Sequence, residues 1–368
     1  MSLPSDPYRV EARDAQWRFV SPGGQDFLSV GLNHLEESSL KYPHNRHVWR
    51  ERYGSRERWI LDGVVRDLGQ WGFNTIGWTR EYVSGRSRAG GSAGPVDQRH
   101  SEQWVAEDFR IAGMPYVVQL RIAEFEGWNG HPVFPDLDSQ SFADYCAHLA
   151  RSVCAAHADS PDLLGYFLLD VPAWAGHPTG AWFSRGGGAS LYDQASRYYE
   201  TIAREIRRQD PHHLILGDRY DANLEIPDAV LRAMAPFVDV LSVQYFPAPN
   251  TDGHARMRRD LRDLHARSGK PILIADIGNR APTRSNPEGV GGLPDQAARG
   301  ADYVAALAPV VAEPWLLGWH WCGYLETTSG RPWGLKDPWD DPYLDLTEEI
   351  AAFNRQALLA SRPRPARP

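Results

Sequence analysis

Cysteine is nearly absent from this chain: Cys146, Cys154 and Cys322 are its three, and no two of them stand as CxxC. That excludes a disulfide framework and the common cysteine metal spacings, so metal and redox chemistry begin without a sequence signal. Basic clusters are missing too. With 39 Lys and Arg against 47 Asp and Glu, a formal net charge of -8 and no Lys/Arg run interleaved with aromatics, the chain lacks the footprint of a nucleic-acid binder. No stretch of about 18 uncharged apolar residues occurs, and no basic segment leads into an apolar run at the N-terminus. Neither a membrane partner nor a signal peptide is therefore read. The expected location is cytoplasmic, or secreted if a signal peptide preceded this sequence, and the expected partner is a neutral or polar small ligand.

What the chain has is length and alternation. Its 368 residues, 42% of them hydrophobic, suffice for one large domain. Eight short apolar runs, suited to buried strands, fall at Leu28–His34, Asn74–Trp78, Tyr116–Arg121, Leu164–Leu169, His213–Asp218, Val238–Tyr245, Pro271–Asp276 and Trp315–Cys322. Helical patterns separate them. Trp59, Val64, Leu68 and Trp71 recur at helical spacing over Arg56–Trp71, and further helices are read at about 102–112, 141–158, 191–209, 251–268, 294–311 and 343–360. The alternation predicts an α/β fold, a (β/α)8 TIM barrel forming a single domain over residues 1–361, with long βα loops and a disordered tail at 362–368. The Gly/Ser-rich stretch within 83–100 reads as a mobile loop.

Polar and aromatic residues collect at the C-terminal ends of these runs, the edge where barrels build their sites: His34, Trp78, Arg80, Arg121, Asp170, Asp218, Arg219, Gln244, Tyr245, Asp276, His320 and Trp321. The fourth run is the most telling. In LGYFLLDVPAW an apolar strand stops at Asp170, followed by Pro172 and Trp174, which sets a carboxylate beside an aromatic platform. Cleaving a glycosidic bond needs an acid for the leaving oxygen and a carboxylate on the other side of the sugar, and Asp170 and Asp276 are the leading pair.

Asn33, His34, Arg80, Asp218, Arg219, Gln244 and His320 offer the mixed donors and acceptors that sugar hydroxyls need. Trp78, Trp174 and Trp321 are the aromatics expected to stack on sugar rings, with Trp128, Trp182, Trp333 and Trp339 also in loops beyond strand ends. Glu36, Glu37, Glu81, Glu124, Glu126, Asp218 and Glu326 are the other acids within reach of the proton-donor role. No cofactor is expected, because no strand leads directly into the glycines 186–188. No metal is expected either, since the first run offers NHL where a barrel metal site would want HxH.

The segments VGLNH, WGFNTIGW, LGYFLLDVPAW, VDVLSVQY, KPILIADIG, GWHW and SGRPWGLKDPWDDPY, in that order from about residue 28 to 355, carry a resemblance. The chain resembles the retaining glycoside hydrolases of clan A, nearest to β-agarase and β-galactosidase members of families 50 and 42. The resemblance implies hydrolysis of a β-linked, galactose-containing glycoside, with an acid/base Glu ending the fourth strand and a nucleophile Glu ending the seventh. Here the sequence departs from the family. Asp170 and Val171 stand where the family has Asn-Glu, and Asp276 stands at the nucleophile. Tyr245 matches the tyrosine that hydrogen-bonds that nucleophile. Two readings follow: a glycosidase working with Asp170 and Asp276, whose shorter acid favours the inverting separation of about 6.5 to 9.5 Å over the retaining 5 to 5.5 Å, or a carbohydrate-binding barrel that has lost its acid.

Overall fold

The computed structural model describes residues 6–84, 99–122, 136–172, 174, 189–288, 291–327 and 332–361. The chain begins with three short antiparallel strands, β1 (Arg9–Arg13), β2 (Gln16–Val20) and β3 (Asp26–Phe27). Eight parallel strands then close a barrel: β4 (Ser29–Leu32), β5 (Thr75–Ile76), β8 (Tyr116–Gln119), β9 (Leu163–Asp170), β10 (Leu214–Asp221), β11 (Leu241–Gln244), β12 (Ile272–Ile277) and β13 (Leu316–Trp321). Trp321 of β13 pairs with Leu32 of β4 and completes the circle. These are the eight apolar runs of the sequence, so the (β/α)8 TIM barrel stands as expected.

The helices match as well. Helix lies over Arg56–Trp71 in consecutive segments, and the helices Leu191–Gln209 and Thr251–Ser268 keep the bounds read from sequence. Ser190 and Asn250 accept the hydrogen bonds that open the latter two, as small polar N-caps do. Gln296–Val311 and Leu344–Ala360 begin within two residues of their expected starts. The ends of the stretch read as a mobile loop are different: β6 (Tyr82–Ser84) and β7 (Arg99–His100) pair antiparallel at its base. Residues 85–98, and the tail 362–368, lie outside the described residues.

Strand alternation divides the buried side chains into two layers. Outward residues such as Val30, Ile76, Tyr166, Leu241 and Ile274 pack under the helices. Inward residues Val117, Leu164, Phe167, Leu214, Leu216, Val240, Leu273, Ala275 and Leu317 fill the barrel. Tyr8 and Phe19 belong to this inner cluster. The N-terminal sheet therefore plugs the bottom of the barrel, where Trp17 also donates its backbone N–H to the Pro314 carbonyl at 2.7 Å. Phe19→Ala should cost about 3–5 kcal/mol, because it empties a fully buried position between sheet and barrel. A urea unfolding midpoint that does not move would mean the sheet is no part of the cooperative core.

Candidate active site

Strand register decides which polar groups meet above the inner apolar layers. Asp170 pairs with Arg219 across β9 and β10, and Gln244 pairs with Asp276 across β11 and β12. Arg219 is wholly buried, and its guanidinium carbon sits 4.9 Å from the Trp78 ring and 5.7 Å from the Phe167 ring. Nη1 donates to Asp170 Oδ1 at 2.9 Å, and Nη2 lies 3.1 Å from Asp276 Oδ2. One planar fork thus takes a carboxylate from the fourth barrel strand and another from the seventh.

The remaining donors orient those carboxylates. Gln244 Nε2 bonds the same Oδ1 of Asp170 at 2.5 Å, and Asn33 Nδ2 bonds Asp276 Oδ1 at 2.9 Å. Asn33 is itself held, since its Oδ1 accepts the Trp78 backbone N–H at 2.8 Å. A side chain at Gly77 would collide with that arrangement, its Cβ falling 2.2 Å from Asn33 Oδ1. His34 extends the row: Nε2 is 4.0 Å from Asp276 Oδ2, while Nδ1 is 2.7 Å from the Arg80 carbonyl oxygen and 3.8 Å from Glu81 Oε2. Asn33, His34, Trp78, Asp170, Arg219, Gln244 and Asp276 therefore form one connected site. Arg80 joins it through its carbonyl, with its own Nε and Nη1 buried and lacking partners among the described residues.

Five residues expected at the site are elsewhere, three of them, Tyr245, Trp321 and Asp218, for reasons of strand parity. Tyr245 follows an inward residue and so faces out, where its hydroxyl bonds Asp260 Oδ2 at 2.5 Å instead of Asp276. Trp321 faces out against the Tyr303 ring, 4.9 Å away. Asp218 precedes inward Arg219, after a strand irregularity at Gly217, and lies under the helix Leu191–Gln209 with the hydroxyls of Tyr198 at 2.8 Å and Tyr199 at 2.5 Å. Its burial pushes the carboxyl up to about 7. Trp174 joins the same group, packed edge-on to Tyr198, and is no open platform. His320 does face inward but is sealed below the site, with Nε2 2.9 Å from Ser29 Oγ. Burial, and then the Arg219 charge, push its imidazole down to about 3, so it is neutral.

One group was not singled out from sequence, and other candidates take up new places. Gln119 shares the inward face of β8 with Val117, and both of its amide atoms are buried without partners among the described residues, at the end of an apolar strand. Half-buried Trp333 packs on the backbone just past Asp276 and Cys322, at Gly278 and Gly323, with its ring 5.2 Å from Phe246. Among the alternative acids, Glu36 is pushed up to about 7 by burial and by the charge of Glu37, and Glu326 is buried against Thr283, Asn286 and Tyr343. Glu124, Glu126, Trp128 and Trp182 lie outside the described residues.

No protein-family model matches the chain. Beta-agarase A of Vibrio sp. (strain JT0107) is 24% identical over an alignment of 465 residues that takes in 96% of this chain and 46% of that protein. Beta-agarase B of the same organism is 25% identical over 176 residues, 45% of this chain and 18% of its own length. The chain thus spans less than half the length of these curated relatives. Among solved structures, the crystal structure of an agarase superposes with a TM-score of 0.69 at 19% identity, covering 98% of this chain and 65% of that one. That likeness is one of fold.

Two outcomes test this description of the site. Arg219→Met leaves two carboxylates facing each other without their cation and should destabilise the protein by about 3–5 kcal/mol in denaturant unfolding. Asp218 has a folded-state pKa above its unfolded value, so its stabilising effect is full below about pH 4 and is lost as pH rises through about 7. Asp218→Asn should therefore flatten the fall in stability between about pH 5 and about pH 8 by on the order of 2 kcal/mol. Equal slopes in the two proteins would show that the carboxyl is ionised throughout.

Proposed function

We propose that this barrel is a glycoside hydrolase acting on β-linked, galactose-containing oligosaccharides, with Asp276 and Asp170 as its carboxylate pair. The observation that carries the reading is the shared guanidinium of Arg219, which brings carboxylates from the fourth and seventh strands to the two sides of one barrel mouth. The agarase relatives support the substrate class.

In this reading Asp276 acts at the anomeric carbon, as nucleophile or as base for water, and Asp170 handles the proton of the leaving oxygen. The environments divide the roles. Asp276 is nearly buried and held by Asn33 and Arg219, an arrangement suited to an anion. The Asp170 side chain keeps 18% exposure, and Arg219 and Gln244 both bond its Oδ1. Gln119 and Arg80 turn unsatisfied polar atoms to sugar hydroxyls, and Trp333 replaces Trp174 and Trp321 as the stacking platform.

Val171 favours a second reading. It occupies the acid/base position of the family, and with Asp170 bound to two donors a barrel that holds sugar without cleaving it fits the same geometry.

A hydrolysis screen with nitrophenyl glycosides and galactan or agarose oligosaccharides separates the two. Turnover by the wild type should fall at least about a hundredfold in Asp276→Asn and in Asp170→Asn, and change less than about threefold in Tyr245→Phe, whose hydroxyl bonds Asp260 instead. Saturable sugar binding without turnover in any form would establish the binding protein and refute the hydrolase.

A further inference from the structure

Beside the carboxylate pair stand three side chains of another chemistry. His34, Asp276 and Cys322, from the ends of the first, seventh and eighth barrel strands, are all buried, and their potential ligand atoms lie within 4.8 Å of one another. From this geometry we propose a zinc site formed by the imidazole of His34, the carboxylate of Asp276 and the thiolate of Cys322.

The ligand set fits zinc. Nitrogen, oxygen and sulfur together suit a borderline-soft ion, and three protein ligands with an open fourth position match the open type of zinc site. Zinc bonds of about 2.0–2.3 Å keep the ligands of one ion within about 4.6 Å of each other, so side-chain adjustments of rotamer scale would close this set.

The surroundings point the same way. His34 Nδ1 lies 2.7 Å from the Arg80 carbonyl, an oxygen that only accepts, so Nδ1 carries a proton and Nε2 is the ring nitrogen on the Asp276 side. A backbone carbonyl on the distal ring nitrogen is the usual support of a metal-binding histidine. Asn33 orients Asp276 in the same manner through Oδ1. His34 holds φ of +56°, a left-handed conformation that is costly outside glycine and is kept where the surroundings impose it.

Charge permits the ion. Asp170, Asp276 and Glu81 lie along Arg219 and His34, so three acids meet in one row. A dication there would share Asp276 with Arg219, whose Nη2 lies 3.1 Å from Oδ2. Cys322 releases its thiol proton to solvent as the bond to zinc forms.

The inference does not depend on the hydrolase reading, because its test reads metal binding. Protein stripped with a chelator, reloaded with zinc and dialysed against metal-free buffer should retain about one zinc per chain, and the cobalt-loaded form should show a thiolate-to-cobalt charge-transfer band in the near ultraviolet. Cys322→Ser should abolish the band, Cys146→Ser should leave it, and His34→Asn, whose asparagine tolerates the left-handed backbone, should weaken zinc binding at least about tenfold. If Cys322→Ser does not fold, His34→Asn carries the test alone. A wild type that retains no zinc and shows no band, or a band that survives Cys322→Ser, overturns the proposal. A protein that hydrolyses no glycoside yet binds cobalt through Cys322 would refute the hydrolase and keep the metal site.

Discussion

A guanidinium removed from water must find anions, and two carboxylates facing one cavity must find a cation. Arg219 meets both requirements at once. It is wholly buried between Trp78 and Phe167, and its fork holds Asp170 and Asp276. Neither acid is tenable there without it, and it is not tenable without them. The rest of the mouth follows from this mutual dependence: Gln244 and Asn33 take further positions on the two carboxylates, Gly77 keeps space for Asn33, and Trp78 lies over the cation. The register pairs Arg219 with Asp170 and Gln244 with Asp276, so the contacts are written into the hydrogen-bonding of the barrel wall.

Parity explains why Asp218, Tyr245 and Trp321 are missing from the site while their neighbours Arg219, Gln244 and His320 face the barrel interior. Neighbouring residues of a strand face opposite sides. The pairs Asp218 and Arg219, Gln244 and Tyr245, and His320 and Trp321 each sent one member inward and the other under the helices. A period-two reading picks the inward member at Gln244 and Tyr245, but the irregularity at Gly217 reverses it at Asp218 and Arg219. The same rule would have drawn attention to Gln119, two positions after inward Val117.

Three strand ends at the mouth carry left-handed residues that are not glycine: His34, Arg121 and Val171, with φ of 56°, 57° and 44°. Such a conformation costs about 1–2 kcal/mol for an ordinary residue, and a β-branched one is the least suited to it. At Val171 the cost is met by a hydrogen bond from its backbone N–H to the Arg219 carbonyl at 3.0 Å. The strain therefore sits beside the carboxylates and not in the inner apolar layers, which is where functional geometry is commonly stored.

Local periodicity determined the barrel. Apolar runs of strand length alternating with helical spacing need no distant information, so eight strands, most helices and the identity of the polar edge were legible in the sequence. Tertiary structure decided the rest. The strands of residues 9–27 are short and largely polar, and only the open floor of a closed barrel gives Phe19 and Tyr8 a place to be buried. The irregularity at Gly217 shifts which side of β10 its acid faces. The meeting of Asp170, Arg219 and Asp276, and of His34 with Cys322, joins strands far apart in the chain. Such contacts arise from closure and register, which no local pattern encodes.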